Sequence, residues 1–170
     1  MAFRRIFVLG GARSGKSTFA ERLAAECGEP VLYVATATVT DEEMAERIAR
    51  HRAQRPTTWR TIEAPLGTAA RLTGLPGAAT VIVEDLTLLL SNLMADDATT
   101  AESRARREVS ELLGLEAHVI LVSNEVGMGI VPEYALGRLF RDALGRVNQA
   151  AAAACGEVYL LVAGLALRLK

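Results

Sequence analysis

The chain has 170 residues, 51% of them apolar and 23% charged, with a formal net charge of −1, the make-up of one folded domain spanning 1–170. So even a balance of charge excludes a global basic field for nucleic acid or for an anionic membrane surface, and any affinity for phosphate must be local. The longest apolar stretch, Val158 to Leu167, contains a glycine and is too short to span a bilayer, and no cleavable leader pattern precedes it, so the expected compartment is the cytoplasm.

In chain order, a predicted strand over Arg5–Leu9 runs into GGARSGKS, residues Gly10 to Ser17, and then into a predicted helix over Lys16–Cys27. Gly10, Gly15, Lys16 and Ser17 satisfy the phosphate-loop pattern G-x-x-x-x-G-K-[ST], in the strand–loop–helix setting that the motif requires. Glycines let the backbone turn so that successive N–H groups converge on phosphate oxygens, and the helix adds its positive N-terminal end. Lys16 has the reach for the terminal phosphates, and the Ser17 hydroxyl is a ligand for Mg²⁺.

After a loop at Gly28–Pro30 come a strand over Val31–Ala35 and a helix over Asp41–Arg52. Asp41 is a capping residue, and Glu42 and Glu43 suit the first turn. Met44, Ile48 and His51 fall on one face, so His51 is expected to point toward the body of the protein. Arg47, Arg50, Arg52 and Arg55 surround it in sequence. Their charge favours the neutral imidazole, whereas a helix C-terminus favours the protonated one, and the sequence leaves the balance open. Two readings follow: a partly buried structural histidine among solvated arginines, or a neutral nucleophile poised to attack a nucleotide α-phosphate that the arginines clamp.

Next come a strand over Thr58–Ile62, a helix over Leu66–Leu72, a loop at Gly74–Ala78 and a strand over Thr80–Val83 that ends in Glu84 and Asp85. A phosphate loop needs a carboxylate at the end of a second buried strand to hold the metal. Adjacent strand residues point to opposite faces, so register decides between the two acids, and Glu84 is preferred. Helices over Leu86–Met94 and Thr100–Leu113 flank a loop at Ala95–Ala98, and a strand over Val119–Ser123 follows. His118, which opens that run, reads as structural. The loop Asn124–Glu133 carries Gly127 and Gly129 at a strand's C-terminal end, where such sheets bind ligands, and makes Asn124 and Glu125 candidates for nucleotide or substrate contact. A helix over Tyr134–Cys155, a strand over Val158–Val162 and the alternating LALRLK, an antiparallel edge strand, close the chain. Strands alternating with helices give an α/β fold with a mostly parallel sheet. Cys27 and Cys155 lack any metal-ligand spacing and read as reduced core thiols.

Four blocks, GGARSGKS, the stretch from ATA (35–37) through DEEMAERI and HR to the proline at 65, SNEVGMGIVPE (123–133) and GRVNQ (145–149), together resemble the adenosylcobinamide kinase / adenosylcobinamide-phosphate guanylyltransferase family. The resemblance runs from Phe7 to about the last strand. It implies a RecA-like P-loop NTPase fold and a two-step chemistry: phosphorylation of adenosylcobinamide with ATP or GTP, then transfer of GMP from GTP to that phosphate. It implies a GMP–histidine intermediate at the position of His51. It also implies nucleotide contacts from Gly10, Gly11, Ala12, Arg13, Ser14, Gly15, Lys16 and Ser17, from Ala35, Thr36 and Ala37, from Arg52, Ala53, Gln54 and Arg55, and from Glu63 and Glu84. Mg²⁺ would sit with Ser17, Glu84 and Asp85, and the assembly would be a homo-oligomer, commonly a trimer. Two positions depart from the pattern. Arg50 stands where some members carry a second histidine, leaving His51 the one candidate, and Asp85 stands where many carry cysteine. The rival readings are an ordinary P-loop small-molecule kinase and a nucleotide-dependent switch or assembly protein.

Overall fold

In the computed structural model the described residues are 2–38, 42, 46, 49, 53, 55–73 and 77–170. Seven strands form one sheet: β1 (Arg5–Gly10), β2 (Val31–Ala35), β3 (Arg60–Glu63), β4 (Thr80–Glu84), β5 (His118–Asn124), β6 (Glu157–Val162) and β7 (Leu165–Arg168). Their order is β3-β2-β4-β5-β1-β6-β7; the first six are parallel and β7 runs antiparallel to β6. The helices described over their whole length are α1 (Lys16–Cys27), α2 (Thr68–Leu72), α3 (Leu86–Asp97), α4 (Ala101–Leu113) and α5 (Ala135–Ala154).

The apolar runs of the central strands are long because both sheet faces are covered. On one face Ile6, Val8, Ile82, Ile120 and Val122 pack against Ala20, Leu23 and Ala24 of α1. On the other, Phe7, Val34, Val83, Leu121 and Val158 pack under α2 to α5, where Leu89, Leu90, Val109, Leu112, Leu144 and Val147 are buried. The five-residue α2 is too short to persist alone, and Glu108 of α4 accepts the Ala69 N–H at 2.7 Å. None of the helices searched among the described residues is long and apolar enough to cross a membrane.

Most element boundaries lie within a few residues of expectation, and the differences have local causes. The third strand starts at Arg60 rather than Thr58, because Trp59 closes a turn onto the Pro56 carbonyl (3.1 Å) and buries its ring on the α1 side. An aromatic residue seeking the core looks the same in sequence whether it lies in a strand or beside one. Helix α2 starts at Thr68 rather than Leu66, since Gly67 adopts φ 60° and the Thr68 hydroxyl donates to Ala64 O at 2.9 Å. Helix α3 runs on to Asp97, through most of the segment expected as a loop. The edge strand read from LALRLK is β7. The expected helix Asp41–Arg52 lies largely outside the described residues; within it Glu42, Glu46 and Ala49 are helical and exposed, as is Ala53 just beyond.

Candidate functional site

The loop from Gly10 to Gly15 turns tightly from the end of β1 into α1, and its sequence allows that turn. A Cβ at Gly10 would come within 2.5 Å of Ser14 Oγ and 2.8 Å of the Leu161 carbonyl, so only glycine fits there. Gly15 takes φ 93°, and Arg13 holds the left-handed region at φ 55°. Two parts of the chain brace the loop from outside. Gly164, in the β6–β7 turn, donates its N–H to Ser14 O at 2.9 Å, and the Glu125 N–H bonds Gly10 O at 2.9 Å. Gly11, Ala12 and Arg13 lie on its solvent side, whereas Ser14 and Lys16 are buried. Lys16 Nζ donates to the Gly11 carbonyl at 3.2 Å, which keeps the ammonium folded over the loop.

Register settles which acid turns to this loop. Glu84 shares its face with Ile82, the α1 face, and the Ser17 hydroxyl donates to Glu84 Oε1. Among the described residues, Glu84 Oε2 is buried without a hydrogen-bond partner. Asp85 lies past the strand and caps α3, its Oδ1 accepting the Leu88 N–H at 2.7 Å. Burial pushes its carboxyl above the usual carboxylate range. The expectation that Asp85 shares the metal position therefore meets a competing local role, because one oxygen is already engaged as a helix cap.

The Ala35–Ala37 stretch ends β2 beside Glu84, with Ala35 paired to both Glu84 and Glu63 across the sheet. Thr36, where the resemblance implies a nucleotide contact, has a structural role in the fold. Its side chain is fully buried, and its hydroxyl donates to Asp85 O and accepts the Asp85 N–H, each at 2.7 Å. It locks the end of β2 to the end of β4. Glu63 is exposed at the end of β3, two strands from Glu84.

Arg55 lies against the α1 side. Its guanidinium covers the Tyr33 ring at 3.5 Å, donates to Thr61 Oγ1 at 3.0 Å, and lies 3.9 Å from Glu21 Oε1 one helical turn beyond Ser17. Burial raises the Glu21 carboxyl, the Glu84 charge raises it further, and Arg55 opposes both. The Tyr33 phenol is pushed up, first by burial and then by Glu84. Neither Tyr33 nor Glu21 was singled out from the sequence, since their place depends on β2 lying beside β4. His51, Arg52 and Gln54, the core of the expected nucleophile segment, lie outside the described residues.

Asn124 is a brace. Its backbone and side-chain N–H groups donate to Thr87 Oγ1 at 2.9 and 3.0 Å, its amide lies 3.4 Å from Asp85 Oδ2, and its carbonyl accepts from Asn148 Nδ2 at 3.1 Å. The Glu125 carboxylate turns back onto the Gly127 N–H. His118 is structural as expected: its Nδ1 accepts the Arg4 N–H at 2.9 Å and its ring meets Phe3 edge-on. Both cysteines are free; Cys155 is buried, and its thiol is pushed up to about 11 by desolvation. Among the described residues no cluster of three or more His, Cys, Asp or Glu could cage a metal by itself.

Comparison with known proteins gives this geometry a context. The sequence model of the family described as cobinamide kinase / cobinamide phosphate guanyltransferase matches residues 6–169. The bifunctional adenosylcobalamin biosynthesis protein CobP of Pseudomonas aeruginosa is 49% identical over 168 residues, covering 98% of this chain and 97% of its own. The bifunctional adenosylcobalamin biosynthesis protein CobU of Escherichia coli is 42% identical over 181 aligned positions, covering 97% and 99%. Among solved structures, that of the RadB recombinase aligns with a TM-score of 0.51 at 17% identity, over 91% of this chain and 72% of its own, a likeness of RecA-like P-loop fold.

Proposed function

This chain belongs to the cobinamide kinase / cobinamide phosphate guanyltransferase family, and from that premise we propose how its residues divide the work. It is a bifunctional transferase of cobalamin biosynthesis, an adenosylcobinamide kinase and adenosylcobinamide-phosphate guanylyltransferase. In the kinase step the Gly10–Ser17 loop grips the triphosphate of ATP or GTP, and Lys16 neutralises charge on the terminal phosphates as the γ-phosphoryl group passes to the substrate hydroxyl. Ser17 and Glu84 would hold Mg²⁺. A hydroxyl and one carboxylate with a buried, unpartnered oxygen are the sparse, all-oxygen set that this ion takes when phosphates and waters complete its shell. When bound, the ion withdraws charge from the phosphate oxygens. Asp85 remains the cap of α3.

In the guanylyl step a ring nitrogen of His51 attacks the α-phosphorus of GTP. The P–N bond forms, the bond to the bridging oxygen breaks, and pyrophosphate leaves. A phosphate oxygen of adenosylcobinamide phosphate then attacks the same phosphorus, and the P–N bond breaks to free the histidine. Arg52 and Arg55 supply positive charge to the α-phosphate, while Ala35, Ala37, Ala53, Gln54 and Glu63 line the nucleotide's path. The enzyme works in the cytoplasm as a homotrimer. Support for self-association comes from the terminal hairpin, where Val162, Leu165, Leu167 and Leu169 leave an apolar strip exposed at the sheet edge.

The observation that carries this reading is the meeting of Ser17 with Glu84 beside the glycine-rich loop, in a chain that matches the family from residue 6 to 169. GTP labelled at the α-phosphate tests the histidine chemistry. Wild-type protein is expected to retain acid-labile, alkali-stable label after denaturation, and His51→Ala none. Unlabelled wild type under turnover conditions would remove the covalent step.

A further inference from the structure

Among the described residues, the segment between β5 and α5 exposes a run of apolar side chains that the phosphate chemistry does not use. Met128, Ile130, Val131 and Tyr134, with Leu136 and Leu139 on the first turns of α5, all face solvent, and Ile130 is 96% exposed. Between Gly127 and Pro132 the sequence GMGIVP contains no charge. Such a patch needs an occupant, because isolated exposed apolar residues are ordinary but a contiguous run of them is not.

The segment is also pinned at both ends. At the near end Glu125 bonds the Gly10 carbonyl, its carboxylate takes the Gly127 N–H, and Val126 packs into the core. At the far end Arg138 donates to the Pro132 carbonyl at 3.0 Å and to that of Glu133. Gly137 admits Pro132 against the helix, since a Cβ there would lie 2.9 Å from Pro132 Cβ. Uncharged side chains are therefore held outward on a braced ledge, which lowers the ordering cost of binding something flat and apolar.

Position selects the occupant. Glu125 is tied to Gly10, the first residue of the phosphate loop, and Ile130 is five residues further on, within about 18 Å of Glu125 even at full extension. The acceptor hydroxyl must reach the terminal phosphate over that loop, so the body of the acceptor lies beside it. We propose that the 127–134 ledge, continued by Leu136 and Leu139, is the docking surface for the corrin macrocycle of adenosylcobinamide, which presents its side-arm hydroxyl to the phosphate loop. The proposal rests on the kinase and guanylyltransferase reading and adds the site that holds the second substrate. The methyl-bearing faces of the ring suit Met128, Ile130 and Val131, and Tyr134 offers both a ring and a hydroxyl to its amide rim. A second copy of the chain is the competing occupant; the ledge is assigned to the macrocycle because it leads off from the Glu125–Gly10 contact and is uncharged, while a second apolar strip, on the β6–β7 hairpin whose Gly164 also braces the phosphate loop, gives self-association a face of its own.

The test measures equilibrium binding of adenosylcobinamide, followed by corrin absorbance, to wild type, Ile130→Ser and Met128→Ser/Ile130→Ser, alongside GTP affinity and sedimentation. Loss of apolar contact is expected to weaken corrinoid binding about tenfold in the single variant and more in the double. GTP affinity and sedimentation stay at wild-type values. Unchanged corrinoid affinity in both variants overturns the ledge and leaves the enzymatic assignment intact. A change of assembly size with corrinoid affinity retained assigns the patch to a second copy and also overturns it. Wild type that binds no adenosylcobinamide sinks the functional reading and the ledge together.

Discussion

The two ends of the sheet are built on opposite rules. At the N-terminal ends of the strands, polar groups are closely matched. Arg4 holds both oxygens of Glu157, at 2.7 and 2.8 Å, and the Tyr159 hydroxyl adds a third bond at 2.9 Å. Arg5 donates to the Leu113 and Leu115 carbonyls, each at 2.6 Å, and to that of Ala117, tying the α4–β5 connection to β1. At the C-terminal ends the pattern reverses. Among the described residues, Ser14 Oγ, Glu84 Oε2, Ser123 Oγ and Asn148 Oδ1 are buried without partners, and all four belong to the phosphate loop or to the elements bracing it. Each unpaired buried group costs about 1–3 kcal/mol, so concentrating them at one edge is affordable only where a ligand or ion supplies the missing bonds. One end holds the fold together, and the other is reserved for chemistry.

That contrast is open to attack from either side. The largest expected effect is at Lys16. Lys16→Ala removes the cation aimed at the terminal phosphates, and kcat/KM is expected to fall about a thousandfold or more in both half-reactions. Kinase turnover near wild type would move phosphoryl transfer away from this loop. Glu84→Gln is expected to come next, with a loss of about a hundredfold and a weaker response to Mg²⁺, while the thermal midpoint holds or rises. A thermal midpoint that falls steeply in Glu84→Gln would mean that this carboxylate belongs to the scaffold, and the division between the two ends would blur.

How far this division could be read from sequence depends on the distance over which each part is encoded. GGARSGKS is local: strand, loop and helix are contiguous, so Gly10, Gly15, Lys16 and Ser17 could be named with their roles. The face of Glu84 could be narrowed to one of two residues by the strand's period, because Ile82 and Glu84 alternate with Val83. What brings Tyr33 and Glu21 toward Glu84, or Asn148 toward Asn124, is the strand order β3-β2-β4-β5-β1-β6-β7, and no short window contains that information. The same holds for Gly164, which reaches the phosphate loop from the far end of the chain. Thr36 carries a structural role that its place, at the strand end where a nucleotide would pass, does not announce. Its burial follows from a contact with Asp85, 49 residues away.

The smallest effect tests the closed end, and it works through pH. The Arg4 guanidinium holds the Glu157 carboxyl down at about 2, against 4.5 for an unperturbed glutamate. Between those values the unfolded chain binds more protons than the folded one, so this carboxylate's contribution is fully present above about pH 4.5 and is lost as pH falls toward 2. Glu157 keeps part of its side chain in solvent and Arg4 about a third, which screens the pair and reduces its worth to roughly 1–2 kcal/mol. Glu157→Gln is therefore expected to lower unfolding free energy by that amount at pH 7 and to converge on wild type below about pH 2. Urea titrations across that range measure it. Turnover at 25 °C is expected to stay at the wild-type value, since nothing at this end touches the phosphate loop. If the variant were as stable as wild type at pH 7, or if its kcat fell in step with its stability, the closed end could no longer be treated as scaffold alone.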